Sequence, residues 1–268
     1  MLSKVFIALV RLSPFFQRAM WRWWYQRLGK RAHNSGWTFM NYGYKDRNHN
    51  TLSLESIDES NRIFIQLYNY IASQLPIKDQ MVLEVGSGRG GGASFISRYH
   101  HPISLTGIDY SKSAIRLSRE LHNEVDNLTF ELGDAEKLPF EDDTFDVVYN
   151  IESSHCYGSM KKFLSEVRRV LKPGGYFGWT DLRGKEMIYD TNDAFEKSGL
   201  ICLHEKEITA EVLDALDNIH EQKMEMISNH VPKFLQKAFA DFAGVKNSKI
   251  YNAFHDGNAV YLLKILKK

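Results

Sequence analysis

The run Met81-Val-Leu-Glu-Val85 is followed at once by glycines at 86, 88, 90, 91 and 92. A short, nearly all-apolar run of this kind reads as a strand buried on both faces of a parallel sheet. Glycine tolerates φ > 0 and lets backbone approach a ligand closely, so the turn is shaped to hold something against the strand end. The segment Ala93 to Tyr99 then reads as a helix whose N-terminus points at the same place. A chain built on strand, glycine turn and helix folds as an open α/β sheet, with its ligand crevice at the carboxyl ends of the strands.

The turn satisfies two patterns. Gly86, Gly88 and Gly91 fit G-x-G-x-x-G, the dinucleotide fingerprint. Glu84, Gly86, Gly88 and Gly90, with Ser87 between the first two glycines, fit [DE]-x-G-x-G-x-G, the loop that binds S-adenosylmethionine. The next apolar run, Ile103 to Ile108, is closed by Asp109, 23 residues after Gly86, and Tyr110 follows it. An acid at the end of the second strand can accept both hydroxyls of an adenosine ribose. Both cofactors carry that ribose, so Asp109 implies a nucleoside without choosing between them. Ser111 is placed to cap a helix over Ser111 to Asn123. Upstream, Ser56-Ile-Asp-Glu59 has capping-box spacing before a helix that carries Ile63, Phe64, Leu67, Tyr68, Ile71 and Leu75 and stops before Pro76.

Further along, Leu128 to Leu132 is a third strand leading into Gly133-Asp134-Ala135-Glu136, and Phe145 to Asn150 is a fourth. With these segments the chain resembles the class I S-adenosylmethionine-dependent methyltransferases over roughly residues 80–182. The resemblance implies that Glu84, Gly86, Gly88 and Gly90 form the cofactor loop and that Asp109 is the ribose acid. It implies that Asp134 and Ala135 read the adenine and that Asn150 lines the methionine end. Lys172-Pro-Gly-Gly175 matches the family's turn into the fifth strand. A nicotinamide enzyme needs neither the Gly-Asp-Ala step nor the Lys-Pro-Gly-Gly turn at these offsets.

Glu152-Ser-Ser-His-Cys-Tyr157 follows the fourth strand, and Thr180-Asp-Leu-Arg183 is expected to follow the fifth. His155 and Asp181 then come from adjacent strand ends. A hydroxyl acceptor must lose its proton as the new bond forms, and histidine is the usual base near neutral pH. A carboxylate on the other ring nitrogen fixes the tautomer. Some sugar-hydroxyl methyltransferases of this fold resemble this pairing. His155 could instead only fill the loop, and Asp181 could cap or pair with Arg183. Cys156 reads as a small buried residue, and His100-His101 lacks further ligands at metal spacing, so no metal is expected.

The first 33 residues hold seven Lys or Arg and no Asp or Glu, although the net charge of the whole chain is +1. Lys4, Arg11, Arg18 and Arg22 share a helical face, interleaved with Phe6, Phe16, Trp21, Trp23 and Trp24. This composition suits a helix lying in a membrane interface, or one docking its aromatic face on the domain. Nothing in the charge balance recruits nucleic acid. Val5 to Val10 is too short to cross a bilayer, and no signal peptide is read. Two cysteines without a CxxC motif fit a reducing, cytoplasmic compartment, with membrane association left open. Trp37 to Tyr44 is an aromatic, glycine-punctuated segment in which Tyr42 and Tyr44 are candidates to cover the site.

After residue 207, Thr209 is expected to cap a helix and Pro232 to open another, with Lys249 to His255 as a third helical turn. Met224, Met226, Phe234, Phe239 and Phe242 suggest an adaptable acceptor pocket or plain core. Ala259 to Leu266 reads as a buried strand. Trp21-Arg-Trp-Trp-Tyr25, Glu152 to Tyr157, Thr180 to Arg183 and Glu207 to Leu213 make nearly the whole chain similar to the phthiotriol/phenolphthiotriol dimycocerosate methyltransferase group. That similarity implies O-methylation of a hydroxyl on a long lipid.

The expected architecture is α/β and Rossmann-like: a seven-stranded, mostly parallel sheet with an antiparallel last strand and helices on both faces. A basic aromatic arm (1–50), a methyltransferase core (51–207), a helical lid insert (208–257) and the last strand (258–268) divide the chain. The expected activity is S-adenosylmethionine-dependent methyl transfer to a lipid or other apolar acceptor. A C-methyltransferase of the sterol or quinone type, or a membrane-associated binding protein without catalysis, are the rivals.

Overall fold

The computed structural model describes residues 38–47, 52–231 and 233–268. The arm over 1–33, Trp37 and Pro232 lie outside the described residues, as do the side chains of Phe234 and Phe242. Seven strands, β1 (Met81–Val85), β2 (Ser104–Asp109), β3 (Leu128–Leu132), β4 (Phe145–Ile151), β5 (Leu171–Gly184), β6 (Ile201–Glu207) and β7 (Ala259–Lys267), form one sheet in the order β3-β2-β1-β4-β5-β7-β6. The ladders β1–β2, β1–β4, β2–β3 and β4–β5 are parallel; β7 runs antiparallel to both β5 and β6.

Alternation along the strands assigns the helices to the two faces. Val82, Val147 and Leu263 pack toward α1 (Arg62–Ala72), α2 (Gly91–His100) and α6 (Thr209–Asn218). Leu83, Val148 and Leu262 pack toward α4 (Met160–Val170) and α5 (Lys185–Glu196). The helix after β1 therefore covers one face and the helix after β4 the other. The chain thus leaves the carboxyl ends of the paired strands β1 and β4 toward opposite faces, and this is where a crevice must open. Helix α3 (Lys112–Leu121) follows β2, and its first turn is capped by Ser111 Oγ accepting from Ala114 N. Between β6 and β7 lie α6, α7 (His220–His230), α8 (Lys233–Ala243) and α9 (Lys249–His255).

Four local readings differ from the structure. The capping box at Ser56 does not form, and α1 begins at Arg62 after a 3-10 turn over Glu59–Asn61. Asp58 instead accepts two bonds from the Arg98 guanidinium, each 2.8 Å, and one from Tyr99 Oη at 2.7 Å. Such a bidentate charged pair outweighs a single cap bond. Lys172-Pro-Gly-Gly175 is not a turn before β5 but a bulge inside it, with Gly174 at φ +81°. Thr180 to Arg183 does not follow β5 either; it lies within it, because β7 pairs Asp181 with Leu262 and continues the ladder to Gly184. Thr209 opens α6 without capping it: its Oγ1 accepts from Tyr261 N at 2.9 Å and donates to Glu207 Oε1 at 2.8 Å, which fastens the insert to β7.

Candidate active site

A cleft of about 1300 Å³, its open mouth included, lies over the ends of β1, β2 and β4. Gly86, Ser87, Gly88, Asp109, Tyr110, Asp134 and Ala135 line it. The glycine turn is possible only for glycine at its first position. Gly86 has φ +81°, and a Cβ there would lie 2.1 Å from Ser153 Oγ. At Gly88, φ is +54° and a Cβ would meet only Met40 Sδ at 3.7 Å, so backbone faces open space. Gly90, at φ +80°, starts α2 and packs on Phe130.

Asp109 is held by main chain. Its Oδ2 accepts from Gly88 N at 2.9 Å and its Oδ1 from Ser111 N at 2.8 Å. Burial raises its pKa, and these amides oppose the rise by favouring the anion. Asp134 Oδ1 accepts from Glu136 N at 2.9 Å, a local turn that sets Ala135 against the cleft.

Two residues of the sequence pattern stand behind the cleft wall rather than in it. Glu84 is fully buried and accepts from Tyr68 Oη at 3.0 Å and Tyr149 Oη at 3.2 Å. Burial pushes its pKa up to about 7. Strand alternation turns Glu84 toward α1, and Tyr68 is the residue that reaches the cleft. Asn150 is also fully buried; its Nδ2 donates to Val85 O at 2.7 Å, Ser153 Oγ at 2.7 Å and Tyr157 Oη at 3.0 Å. It braces Ser153 and Tyr157, which do line the cleft.

Past β4 the chain turns through Glu152, at φ +47°, into a 3-10 turn over Ser154–Cys156. A left-handed glutamate is unfavourable and persists only where its surroundings impose it. Its Oε2 accepts from Tyr42 N at 2.8 Å and Tyr261 Oη at 2.7 Å, and burial pushes its pKa up to about 7. Glu152, Ser153, Cys156 and Tyr157 line the cleft.

His155 and Asp181 converge beside this wall without lining it. Asp181 is wholly buried, and its Oδ1 lies 2.8 Å from His155 Nδ1. Its Oδ2 accepts from Ser154 Oγ at 2.6 Å and from His155 N at 2.8 Å, with Arg183 Nη1 at 3.1 Å. Ser154 Oγ in turn accepts from Arg183 Nη2 at 2.7 Å and Trp179 Nε1 at 2.9 Å. Burial alone would raise the Asp181 pKa, but the His155 and Arg183 cations and these hydrogen bonds hold it well below the usual carboxylate range. Burial pushes His155 the other way, toward neutrality; Cys156 and then Asp181 overcome it and hold the imidazole well above its ordinary value.

The candidate covering residues lie elsewhere. Tyr44 is buried against Tyr70, ring centroids 4.3 Å apart, and Tyr42 meets Phe254 edge-on at 6.0 Å; neither ring lines the cleft. Met224 is 39 % exposed on α7 and does not line it. The segment before them does, through Thr38, Phe39, Met40 and Asn41. Its aromatic content was the available signal, but which residues face the cleft depends on how it packs against α1 and the glycine turn. Among the described residues no cluster of three His, Cys, Asp or Glu is placed to hold a metal ion.

Residues 83–178 match the methyltransferase domain family. The phthiotriol/phenolphthiotriol dimycocerosates methyltransferase of Mycobacterium tuberculosis is 38% identical over 251 residues, covering 94% of this chain and 93% of that protein. The chain belongs to this methyltransferase family. The methyltransferase is also 41% identical over 202 residues to the fatty-acid O-methyltransferase of Mycolicibacterium smegmatis, covering 73% of each chain. A solved geranyl diphosphate C-methyltransferase from Streptomyces coelicolor A3(2), in complex with S-adenosyl-L-homocysteine, superposes with a TM-score of 0.68 at 16% identity, covering 94% of this chain and 97% of that one. At that identity the likeness speaks to the fold alone. The protein is an S-adenosylmethionine-dependent methyltransferase with a seven-stranded Rossmann-like sheet.

Proposed function

We propose that this methyltransferase methylates a hydroxyl on a lipid or other apolar acceptor. The observation that carries the reading is the His155–Asp181 pair beside the β4 end of the cleft. The acceptor class is supported by the two relatives named for a lipid and a fatty acid.

The cleft suits the donor. Gly88 presents bare backbone to it, Asp109 lines it with a carboxylate already oriented by two amides, and the buried Ser87 Oγ has no hydrogen-bond partner among the described residues. In this reading Gly86, Ser87, Gly88 and Gly90 cradle the amino-acid part and Asp109 takes the ribose hydroxyls, with Tyr110 beside it. Asp134 and Ala135 read the adenine edge, while Glu84 and Asn150 act through Tyr68, Ser153 and Tyr157. When bound, S-adenosylmethionine supplies an electrophilic methyl group.

The chain's own part is to orient the acceptor and remove its proton. His155 Nδ1–H donates to Asp181, so the proton of the acceptor hydroxyl passes to Nε2. Asp181 keeps its charge and stabilises the imidazolium that results. Because the resting imidazole holds a proton tightly, this base works only in the fraction of molecules that have lost it. The basic aromatic segment over 1–33 would bring the enzyme to a membrane surface where apolar acceptors reside.

The test is incubation with methyl-labelled donor and a lipid extract, followed by mass spectrometry of the labelled product. An ether or ester methyl is expected; a methyl on carbon would replace the reading with its C-methyltransferase rival. No labelled product from any extract, with donor binding intact, would remove the catalytic reading. Deleting residues 1–33 should abolish sedimentation with anionic liposomes, and unchanged sedimentation would end the membrane assignment.

A further inference from the structure

We propose that Glu152 is a positioning residue that clasps the segment 38–44 over the cleft. It grips the roof through the Tyr42 amide and anchors it to β7 through the Tyr261 hydroxyl. The proposal rests on reading the cleft as the donor's site.

Segment 38–44 forms part of the cleft wall through Thr38, Phe39, Met40 and Asn41. On its outer side it is attached by Asn41 Nδ2 to Phe64 O at 3.3 Å and by Tyr44 N to Ile63 O at 3.0 Å, both on α1. On the β4 side the attachment is Tyr42 N to Glu152 Oε2 at 2.8 Å, between residues 110 positions apart. The same oxygen accepts from Tyr261 Oη at 2.7 Å. One carboxylate oxygen thus gathers the roof and the antiparallel strand at a single point.

Glu152 is also bound to its place by backbone. Its N–H donates to Thr180 O on β5 at 2.8 Å, and its φ of +47° is left-handed. Among the described residues it is the one non-glycine with positive φ that lines the cleft. Unfavourable backbone at a ligand site signals a constraint imposed by the surroundings. Here the constraint delivers the carboxylate to Tyr42. The Tyr42 ring meets Phe254 of α9 and has Lys223 Nζ of α7 5.6 Å from its centroid. Tyr42 therefore ties the roof to Glu152 with its amide and meets the helices between β6 and β7 with its ring. Release of the demethylated nucleoside requires the Tyr42–Glu152 bond to open, and the insert moves with it.

The experiment uses the full-length enzyme and S-adenosyl-L-homocysteine. Binding is measured by calorimetry, release by rapid-mixing displacement, and the Tyr42 amide by hydrogen exchange. A hydrogen bond to a charged acceptor sets the scale, so Glu152→Ala should release the nucleoside about tenfold or more faster. The Tyr42 amide should lose protection in the same variant. Glu152→Gln keeps an oxygen that accepts from both donors, and it should stay within about threefold of the native rate. Tyr261→Phe should fall between the two. A native release rate in Glu152→Ala, unchanged Tyr42 protection, or a glutamine variant as fast as the alanine one would overturn the clasp. Should the alanine variant not fold, Tyr261→Phe decides, and a native release rate there overturns it as well. If the native enzyme does not bind the nucleoside at all, the reading of the cleft fails and the clasp falls with it; binding with unaltered release defeats the clasp alone.

Discussion

The two ends of the cleft are built differently. At the end formed by β1, β2 and β3, the polar groups are held by main-chain amides: Asp109 by Gly88 N and Ser111 N, Asp134 by Glu136 N. Beside the ends of β4 and β5 they are held by groups from distant elements, side chains for the most part. His155 is oriented by Asp181, Ser154 is held by Arg183 and Trp179, and Glu152 is held by the Tyr42 amide and the Tyr261 hydroxyl. Main-chain amides cannot rotate away, so the first end is preorganised as soon as the sheet forms. The second depends on a buried polar network, in which each member is costly to leave unpaired. If the first end binds the nucleoside and the second does the chemistry, as proposed, an end held by backbone and one held largely by side chains should answer differently to mutation.

The largest separation is expected from His155→Ala. Turnover should fall by roughly 100-fold or more while affinity for S-adenosyl-L-homocysteine stays native, as calorimetry and steady-state rates would show. Unchanged turnover would remove His155 as the base and dissolve the distinction between the two ends. Asp109→Ala should do the reverse. Losing a charged acceptor weakens nucleoside binding by about 10- to 100-fold, with the rate at saturating donor much less affected. A variant that binds as well as native would move the ribose elsewhere.

The pH profile sharpens the contrast further. Cys156 and Asp181 raise the His155 pKa against burial, so the imidazole is protonated over a wider pH range than usual. A base must be deprotonated, so kcat/KM should climb with pH along a limb lying above the ordinary histidine value of 6.5. In Asp181→Asn the limb should move to lower pH, because the charge that favours the imidazolium is gone; a limb that stays put would argue that another group titrates. Nucleoside binding should show no such limb. The smallest effect is expected from Ser154→Ala, which takes the hydroxyl acceptor from Trp179 Nε1 and leaves Arg183 Nη2 only the weak Met160 Sδ. It should lower stability by about 1–3 kcal/mol in denaturant melts, with nucleoside affinity unchanged. A loss of affinity would mean that the two ends are coupled more tightly than the bonding pattern implies.

The same contrast separates what could be read in advance from what could not. Glu84 fits the loop pattern, yet one step of strand alternation turns it toward α1, where Tyr68 and Tyr149 hold it. Asp181 was expected beyond a strand end, whereas β7 extends β5 past it. Met224 has the composition of a pocket residue and faces solvent. Glu152 and Tyr157 lie in the stretch singled out after the fourth strand, and an acid directly after a buried strand was a signal in its own right. Its partners, 110 and 109 positions away, left no trace in the neighbouring residues.

By itself the amino-acid sequence determined the strand, glycine turn and helix at 81–100, the acid closing the second strand, the Gly-Asp-Ala turn and the order of buried runs. All of these follow from backbone preferences and periodicities within a few residues. Only the tertiary structure decided that β7 inserts between β5 and β6, that Asp181 thereby meets His155 from within a paired strand, and that the Tyr42 amide reaches Glu152. Those meetings depend on strand order and on which face each residue takes, and both are settled when the whole sheet packs its two layers of helices.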